Sequence, residues 1–128
     1  MRSIERPRIL VIEDDKLFLW TLNQFLVKEG YEVCPTGSGE AALDLAEHQS
    51  FDVVISDFHL PGMNGKEVIQ KLKALQPRAK SVLISAYQIE EVGKEFPLNA
   101  YLNKPIDLGS LRKLLLDLTN NRSGRATL

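Results

Sequence analysis

Three aspartates stand directly after apolar runs of the sequence, where their carboxylates could do chemistry together. Asp57 closes the run that begins at Asp52, and the pair Asp14 and Asp15 closes the run that begins at Ile9. If the two runs form neighbouring parallel strands, the three carboxylates converge at one edge of a sheet. Three unpaired anions this close together are costly, so the site is expected to recruit a cation. An all-oxygen ligand set favours Mg²⁺, whereas the absence of a Cys/His cluster argues against zinc.

Two further polar residues indicate what the aspartates would do. Ser85 ends another short apolar stretch, and Lys104 follows the last one. Three carboxylates and one ammonium give the site a formal charge of −2, which one divalent cation neutralises. Asp57 would then be a nucleophile facing an incoming phosphoryl group, with Lys104 neutralising charge on that group. The pattern predicts an aspartate that carries a phosphoryl group.

The elements that must position these groups are five apolar or β-branched runs that alternate with amphipathic stretches. The runs are Arg8–Glu13, Tyr31–Pro35, Asp52–Asp57, Ser81–Ser85 and Ala100–Asn103. Such alternation predicts βαβ units and a parallel sheet covered by helices on both faces. The first and third runs lack polar alternation, which is typical of central strands, and the fifth is weak enough to be an edge. Because open parallel sheets bind ligands beyond the carboxyl ends of their strands, the polar residues all fall on the binding edge.

Helical periodicity and capping residues delimit the stretches between the runs. Leucine and phenylalanine recur at helical spacing from Leu19 to Leu26, and Gly30 follows as a helix-terminating residue. The residues suited to begin the later helices are Ser38, Asn64 and Asp107. Residues 88–96 leave room only for a short helix.

Length and composition place these elements in one domain. With 128 residues, 44% of them apolar and 26% charged, the chain is typical of a globular domain. We expect a three-layer α/β domain of (βα)5 type over residues 1–120 and a polar tail over residues 121–128. Sixteen basic against seventeen acidic residues provide no field for binding nucleic acid or an anionic membrane. The lone Cys34 excludes an internal disulfide and is typical of a protein in the reducing cytoplasm.

Four motifs in a fixed order carry a resemblance to a known family. They are Glu13-Asp14-Asp15, Asp57 with the following Leu60-Pro61-Gly62-Met63-Asn64-Gly65, Ser85-Ala86, and Tyr101-Leu102-Asn103-Lys104-Pro105. Together they resemble the receiver domain of two-component response regulators, from about Arg8 to Leu118. The resemblance implies a flavodoxin-like, doubly wound sheet of strand order 2-1-3-4-5. It also implies a cis peptide bond between Lys104 and Pro105.

The resemblance further implies roles for the residues around the phosphoacceptor. Asp57 would take the phosphoryl group from a phosphohistidine on a sensor histidine kinase or a histidine phosphotransfer protein. Asp15 and Asp57 would contact Mg²⁺ directly, while Asp14 would act mainly through metal-bound water. The backbone carbonyl of His59 would supply another metal ligand.

A second group of residues would convert phosphorylation into a change of partner binding. Lys104 would pair first with Asp57 and then with the phosphoryl oxygens, and Ser85 would donate its hydroxyl to the phosphoryl group. Tyr101 would rotate inward as Ser85 moves. Trp20 is expected to face outward from the first helix, which resembles the helix that receivers press against kinases. The expected output is binding of a downstream protein.

Three other functions would need different residues. An aspartyl-nucleophile phosphatase would need an aspartate at the position of His59. A flavodoxin-like FMN carrier would need a Ser/Thr/Gly phosphate loop where this chain has Asp14, Asp15 and Lys16. A pseudo-receiver would have lost an acidic residue or the lysine, and this chain has lost none. The sequence therefore favours a phosphoacceptor switch over a turnover enzyme.

Overall fold

The structure is a computed structural model that describes residues 6–86 and 98–123. The strands are β1 (Arg8–Ile12), β2 (Glu32–Thr36), β3 (Val53–Asp57), β4 (Lys80–Ser85) and β5 (Ala100–Asn103). The helices are α1 (Lys16–Lys28), α2 (Gly39–Ala46), α3 (Gly65–Leu75) and α4 (Leu108–Ser123), so α4 passes the predicted boundary at residue 120. The short helix predicted over residues 88–96 and the last tail residues, 124–128, lie outside the described residues. Across the two described ranges, no helix combines the length and apolar character that crossing a bilayer requires.

The strands form one parallel sheet in the order β2-β1-β3-β4-β5, which confirms the predicted strand order and fold class. The chain builds from β1 to β2 on one side and then crosses to β3, β4 and β5 on the other. β1 and β3 are therefore neighbours, with Ile12 paired to Ser56. Strand order reverses between them, so their carboxyl ends form the crevice in which such sheets bind ligands. The weak fifth run is an edge strand, as predicted.

Helices cover both faces of the sheet. Because alternate residues of a strand point to opposite sides, each strand contributes side chains to both faces. Ile9 and Val11 of β1 lie in an apolar cluster with residues of α1 and α4. Leu10 and Ile12 lie in a second cluster, which α2 and α3 cover. All residues of β3 are buried, which explains the lack of polar alternation in its sequence. The result is the predicted three-layer sandwich.

Capping residues fix the ends of the helices. Asp15, Ser38 and Asn64 each accept hydrogen bonds from backbone N–H groups in the first turns of α1, α2 and α3. Asp107 accepts one in the first turn of α4. Gly30 follows α1 with a φ of 98°, a left-handed conformation that favours glycine. Four of these residues have their predicted roles, and Asp15 is the addition.

Candidate functional site

Three carboxylates meet at the carboxyl ends of β1 and β3. One carboxylate oxygen from each of Glu13, Asp14 and Asp57 lies within 4.8 Å of the other two. Glu13 and Asp57 are only 2% and 6% exposed, whereas Asp14 is exposed to solvent. The parallel pairing of β1 with β3 brings the first residue after β1 beside the last residue of β3. The structure thus brings together two of the three predicted aspartates, Asp14 and Asp57, and adds Glu13.

Asp15 instead caps α1. Its Oδ1 accepts hydrogen bonds from the N–H groups of Leu17 at 3.0 Å and Phe18 at 3.2 Å, and its own N–H donates to Glu13 Oε2 at 2.9 Å. A carboxylate that accepts two helical N–H groups faces the helix and lies outside the group of three. In the structure, the acidic residues beside Asp57 are therefore Glu13 and Asp14, whereas the predicted pair was Asp14 and Asp15. An aspartate directly before the first helical residue is a capping signal that would have indicated this from the sequence.

The ammonium of Lys104 lies between two of these carboxylates. Its Nζ is 3.2 Å from Glu13 Oε1 and 3.3 Å from Asp57 Oδ2. The same nitrogen lies 4.5 Å from the ring centroid of Phe18. Burial lowers the pKa of Lys104, but hydrogen bonds to Glu13 and Asp57 and their charges outweigh burial, so the pKa is raised overall. Lys104 is therefore a cation at neutral pH, in contact with Asp57.

Opposing effects act on the carboxyl group of Glu13. Burial raises its pKa, the N–H of Asp15 lowers it, the charge of Asp57 raises it, and Lys104 lowers it; the net direction is upward. With all groups ionised, three carboxylates and one ammonium carry a formal charge of −2. This compact oxygen set fits a hard divalent cation such as Mg²⁺. The exposed Asp14 leaves the set accessible from solvent.

Ser85 and Tyr101 lie on the two strands beyond β3. Ser85 is the buried last residue of β4, and its carbonyl accepts the N–H of Lys104 at 2.8 Å. This bond joins the two predicted phosphate-binding residues through the backbone. Tyr101 of β5 is half-buried and packs against an apolar cluster formed by α3 and β4. The peptide bond between Lys104 and Pro105 is cis, as predicted.

Backbone contacts hold the loop that follows Asp57. The N–H of His59 donates to Asp57 Oδ1 at 3.3 Å, while its exposed ring packs edge-on against Phe58. The N–H of Gly65 donates to the carbonyl of Phe58 at 2.7 Å. A Cβ on Gly65 would lie 2.8 Å from Phe58 Cα and would overlap the carbonyl of Asp57. α3 therefore approaches this loop as closely as only glycine permits, a role that the sequence indicates only by the position of Gly65 after the capping Asn64.

An apolar groove of about 450 Å³ opens beside Lys104, between α1 and the start of α4. Its lining residues are Phe18, Thr21, Leu22, Lys104, Pro105, Ile106 and Leu108. On α1, Leu17 is 72% exposed and Trp20 is 60% exposed, so Trp20 faces outward as predicted. Exposed apolar side chains next to an apolar groove are typical of a contact surface.

The chain is similar to known proteins over most of its length. The family model for the response regulator receiver domain matches residues 9–116. Sporulation initiation phosphotransferase F of Bacillus subtilis is 30% identical over 121 residues, which cover 89% of this chain and 97% of that protein. A cyclic di-GMP phosphodiesterase of Thermotoga maritima is 33% identical over 117 residues, which cover 89% of this chain but 31% of that protein.

A solved structure is similar to this one as well. A response regulator protein from Burkholderia pseudomallei, solved with a phosphorylated aspartic acid, calcium ion and citrate, has 30% sequence identity and a TM-score of 0.79. The similarity covers 91% of this chain and 69% of that chain. The family model matches most of the chain, and the strand order and the carboxylate cluster are consistent with that match. The chain belongs to the receiver domain family of two-component response regulators.

Proposed function

We propose that this receiver accepts a phosphoryl group from a phosphohistidine onto Asp57 and thereby changes its binding to a partner protein. The observation that carries the proposal is the convergence of Glu13, Asp14 and Lys104 on the carboxylate of Asp57. A site that accepts a phosphoryl group needs a nucleophile, and it needs positive charge around the transferring group. This site has the carboxylate, a lysine in contact with it, and oxygen ligands for a cation.

The transfer forms one bond and breaks another. An oxygen of Asp57 attacks the phosphorus of the phosphohistidine, and the P–N bond breaks with its electron pair returning to the imidazole nitrogen. The products are an acyl phosphate on Asp57 and a free histidine on the donor. Lys104, whose Nζ is 3.3 Å from Asp57 Oδ2, would neutralise charge on the phosphoryl oxygens. Its raised pKa keeps it protonated for that role.

The carboxylate cluster would hold Mg²⁺. Glu13, Asp14 and Asp57 offer carboxylate oxygens, and the backbone carbonyl of His59 is the further ligand implied by the sequence. When bound, the ion would screen the charge between the carboxylates and the incoming phosphoryl group. The calcium ion and phosphorylated aspartic acid of the Burkholderia response regulator support this assignment. Asp15 is left out because its carboxylate caps α1.

Ser85, Tyr101 and Lys104 would pass the change at Asp57 to a partner. Ser85 would donate its hydroxyl to a phosphoryl oxygen, and Lys104 would turn from Glu13 toward the same group. The backbone hydrogen bond between Lys104 and Ser85 links the two residues. Tyr101 packs only half-buried on the cluster beside β4, so a shift of β4 can change its exposure. The downstream protein would recognise this altered surface.

The phosphodonor, a sensor histidine kinase or a histidine phosphotransfer protein, would dock on the groove beside Lys104. Because Lys104 lines the groove and also contacts Asp57, a protein seated there would bring its phosphohistidine close to the phosphoacceptor. The exposed Leu17 and Trp20 extend the apolar surface along α1. The Bacillus relative is itself named a phosphotransferase, which supports a role in phosphoryl transfer.

Intact-mass measurement after incubation with a small acyl phosphate and Mg²⁺ tests the proposal. We expect the wild type to gain one phosphoryl group, Asp57→Asn to gain none, and omission of Mg²⁺ to slow the gain. Asp44→Asn, an exposed aspartate of α2 away from the cluster, is the matched control and should be labelled like the wild type. Labelling that persists in Asp57→Asn, or a wild type that neither gains mass nor binds beryllofluoride, would contradict the proposal.

A further inference from the structure

We infer that Phe18 is a positioning residue for Lys104, an inference that rests on the proposed phosphoryl transfer to Asp57. Among the residues that the structure describes, the ammonium of Lys104 lies against Glu13 Oε1, Asp57 Oδ2 and the ring of Phe18. The ring centroid lies 4.5 Å from Nζ, within the range of a cation–π interaction. The side chain of Lys104 is 23% exposed, so water screens the contact only in part.

The ring has a task that the two carboxylates cannot perform. Lysine carries its charge on a flexible four-carbon stem, and an ammonium has three donors to place. Glu13 and Asp57 each attract it, so Glu13 competes with the phosphoacceptor for the same cation. The face of Phe18 attracts the ammonium without accepting a conventional hydrogen bond. It thus holds the cation at the site while leaving its donors free for Asp57 and, later, for phosphoryl oxygens.

The cap of α1 holds Phe18 in turn. The N–H of Phe18 donates to Asp15 Oδ1 at 3.2 Å, which fixes its backbone in the first turn of the helix. Its side chain packs against the apolar cluster shared by α1, α4 and the sheet. A continuous set of contacts therefore runs from the cap, through the ring, to Lys104 and Asp57. Asp15, for which the family resemblance implies contact with the metal, contributes to the site through this route.

Three variants separate positioning from packing. Phe18→Leu removes the ring but keeps an apolar side chain, and Phe18→Tyr keeps the ring. Phe25→Leu makes the same substitution two turns along α1, at a residue that packs on the same cluster away from Lys104. We expect Phe18→Leu to lower the rate at which a small acyl phosphate labels Asp57 by about threefold to tenfold. Phe18→Tyr and Phe25→Leu should stay within about twofold of the wild type.

Nuclear magnetic resonance provides a readout that does not depend on phosphorylation. A lysine over an aromatic face has its ε-methylene protons shifted to high field by the ring current. That shift should be present in the wild type, Phe18→Tyr and Phe25→Leu, and absent in Phe18→Leu. A wild type that shows the shift but is never labelled would refute the proposed function and leave the ring contact standing. Equal labelling rates for Phe18→Leu and Phe25→Leu, or no shift in the wild type, would overturn the positioning role.

Discussion

Substitutions at two neighbouring aspartates, Asp14 and Asp15, should affect different properties of the protein. One carboxylate oxygen of Asp14 lies within 4.8 Å of one oxygen each of Glu13 and Asp57, whereas Asp15 accepts hydrogen bonds from two N–H groups of α1. Asp14→Asn should therefore weaken Mg²⁺ binding with little effect on the cap. Asp15→Ala should lower stability with little effect on Mg²⁺ binding, and Asp15→Asn should change neither greatly, because asparagine caps about as well as aspartate.

The magnitudes follow from the two environments. Replacing an N-cap aspartate by alanine costs about 1 kcal/mol. At about 2.1 cal/mol/K per residue, a chain of 128 residues has an unfolding entropy of about 270 cal/mol/K, so Tm should fall by about 4 °C in Asp15→Ala. Two unit charges 4 Å apart interact by about 1 kcal/mol in water, so a divalent ion loses at least about 2 kcal/mol when Asp14 is neutralised. That corresponds to Mg²⁺ affinity weaker by about thirtyfold.

Two measurements on the four proteins check both halves of this prediction. Thermal unfolding followed by circular dichroism, in the presence of a chelator, reports the cap without any contribution from bound metal. Calorimetric titration with Mg²⁺ measures the Mg²⁺ affinity of each protein and so reports which aspartate contributes to metal binding. If Asp15→Asn lost Mg²⁺ affinity to the same extent as Asp14→Asn, Asp15 would be a metal ligand and the capping assignment would be refuted. An unchanged Tm in Asp15→Ala would also refute the capping assignment.

Two further substitutions test the framework around the site. Gly65→Ala should lower stability by about 1–3 kcal/mol and slow labelling of the phosphoacceptor, because the added Cβ would push against the loop that follows β3. Urea unfolding measures the stability, and the labelling rate is measured separately. An unaffected labelling rate would contradict the expected effect on the phosphoacceptor. Gln76→Leu should cost about 1–3 kcal/mol in urea unfolding with labelling unchanged, because the Gln76 side chain accepts from Phe51 N–H and donates to the carbonyls of Ala46 and Gln49. Unfolding equal to that of the wild type would show that water replaces these bonds at no cost.

The fold was largely predictable because its signals are local. Apolar runs without polar alternation indicated central strands, and the observed strands differ from the predicted runs by one residue at most at each end. The second strand shows how such a shift arises. The N–H of Tyr31 still donates to the carbonyl of Leu26, which closes α1, so the strand begins at Glu32. The local hydrogen bonds that end a helix decide this boundary, and β-propensity does not report them.

The contacts of the site were harder to predict because they join distant parts of the chain. Lys104 and Glu13 are separated by 91 positions, and their contact depends on the order of the strands. The ring of Phe18 reaches Lys104 only because α1 packs beside the carboxyl end of β5. Neither contact leaves a pattern of spacing in the sequence. The strand-end positions predicted Lys104 at the same sheet edge as Asp57, and the resemblance to a family added that the two residues pair.

The predicted acidic set contained Asp15, whereas the observed set contains Glu13. This difference shows why counting charges could not identify the acidic pair. Either residue, together with Asp14, Asp57 and Lys104, produces a formal charge of −2, so both sets call equally for one divalent cation. The difference lies in the start of α1. A helix that begins at Lys16 leaves N–H groups that need an acceptor, and Asp15 is the side chain placed to serve them. Once Asp15 is used in this way, the buried Glu13 at the end of β1 is the carboxylate that remains to face Asp57.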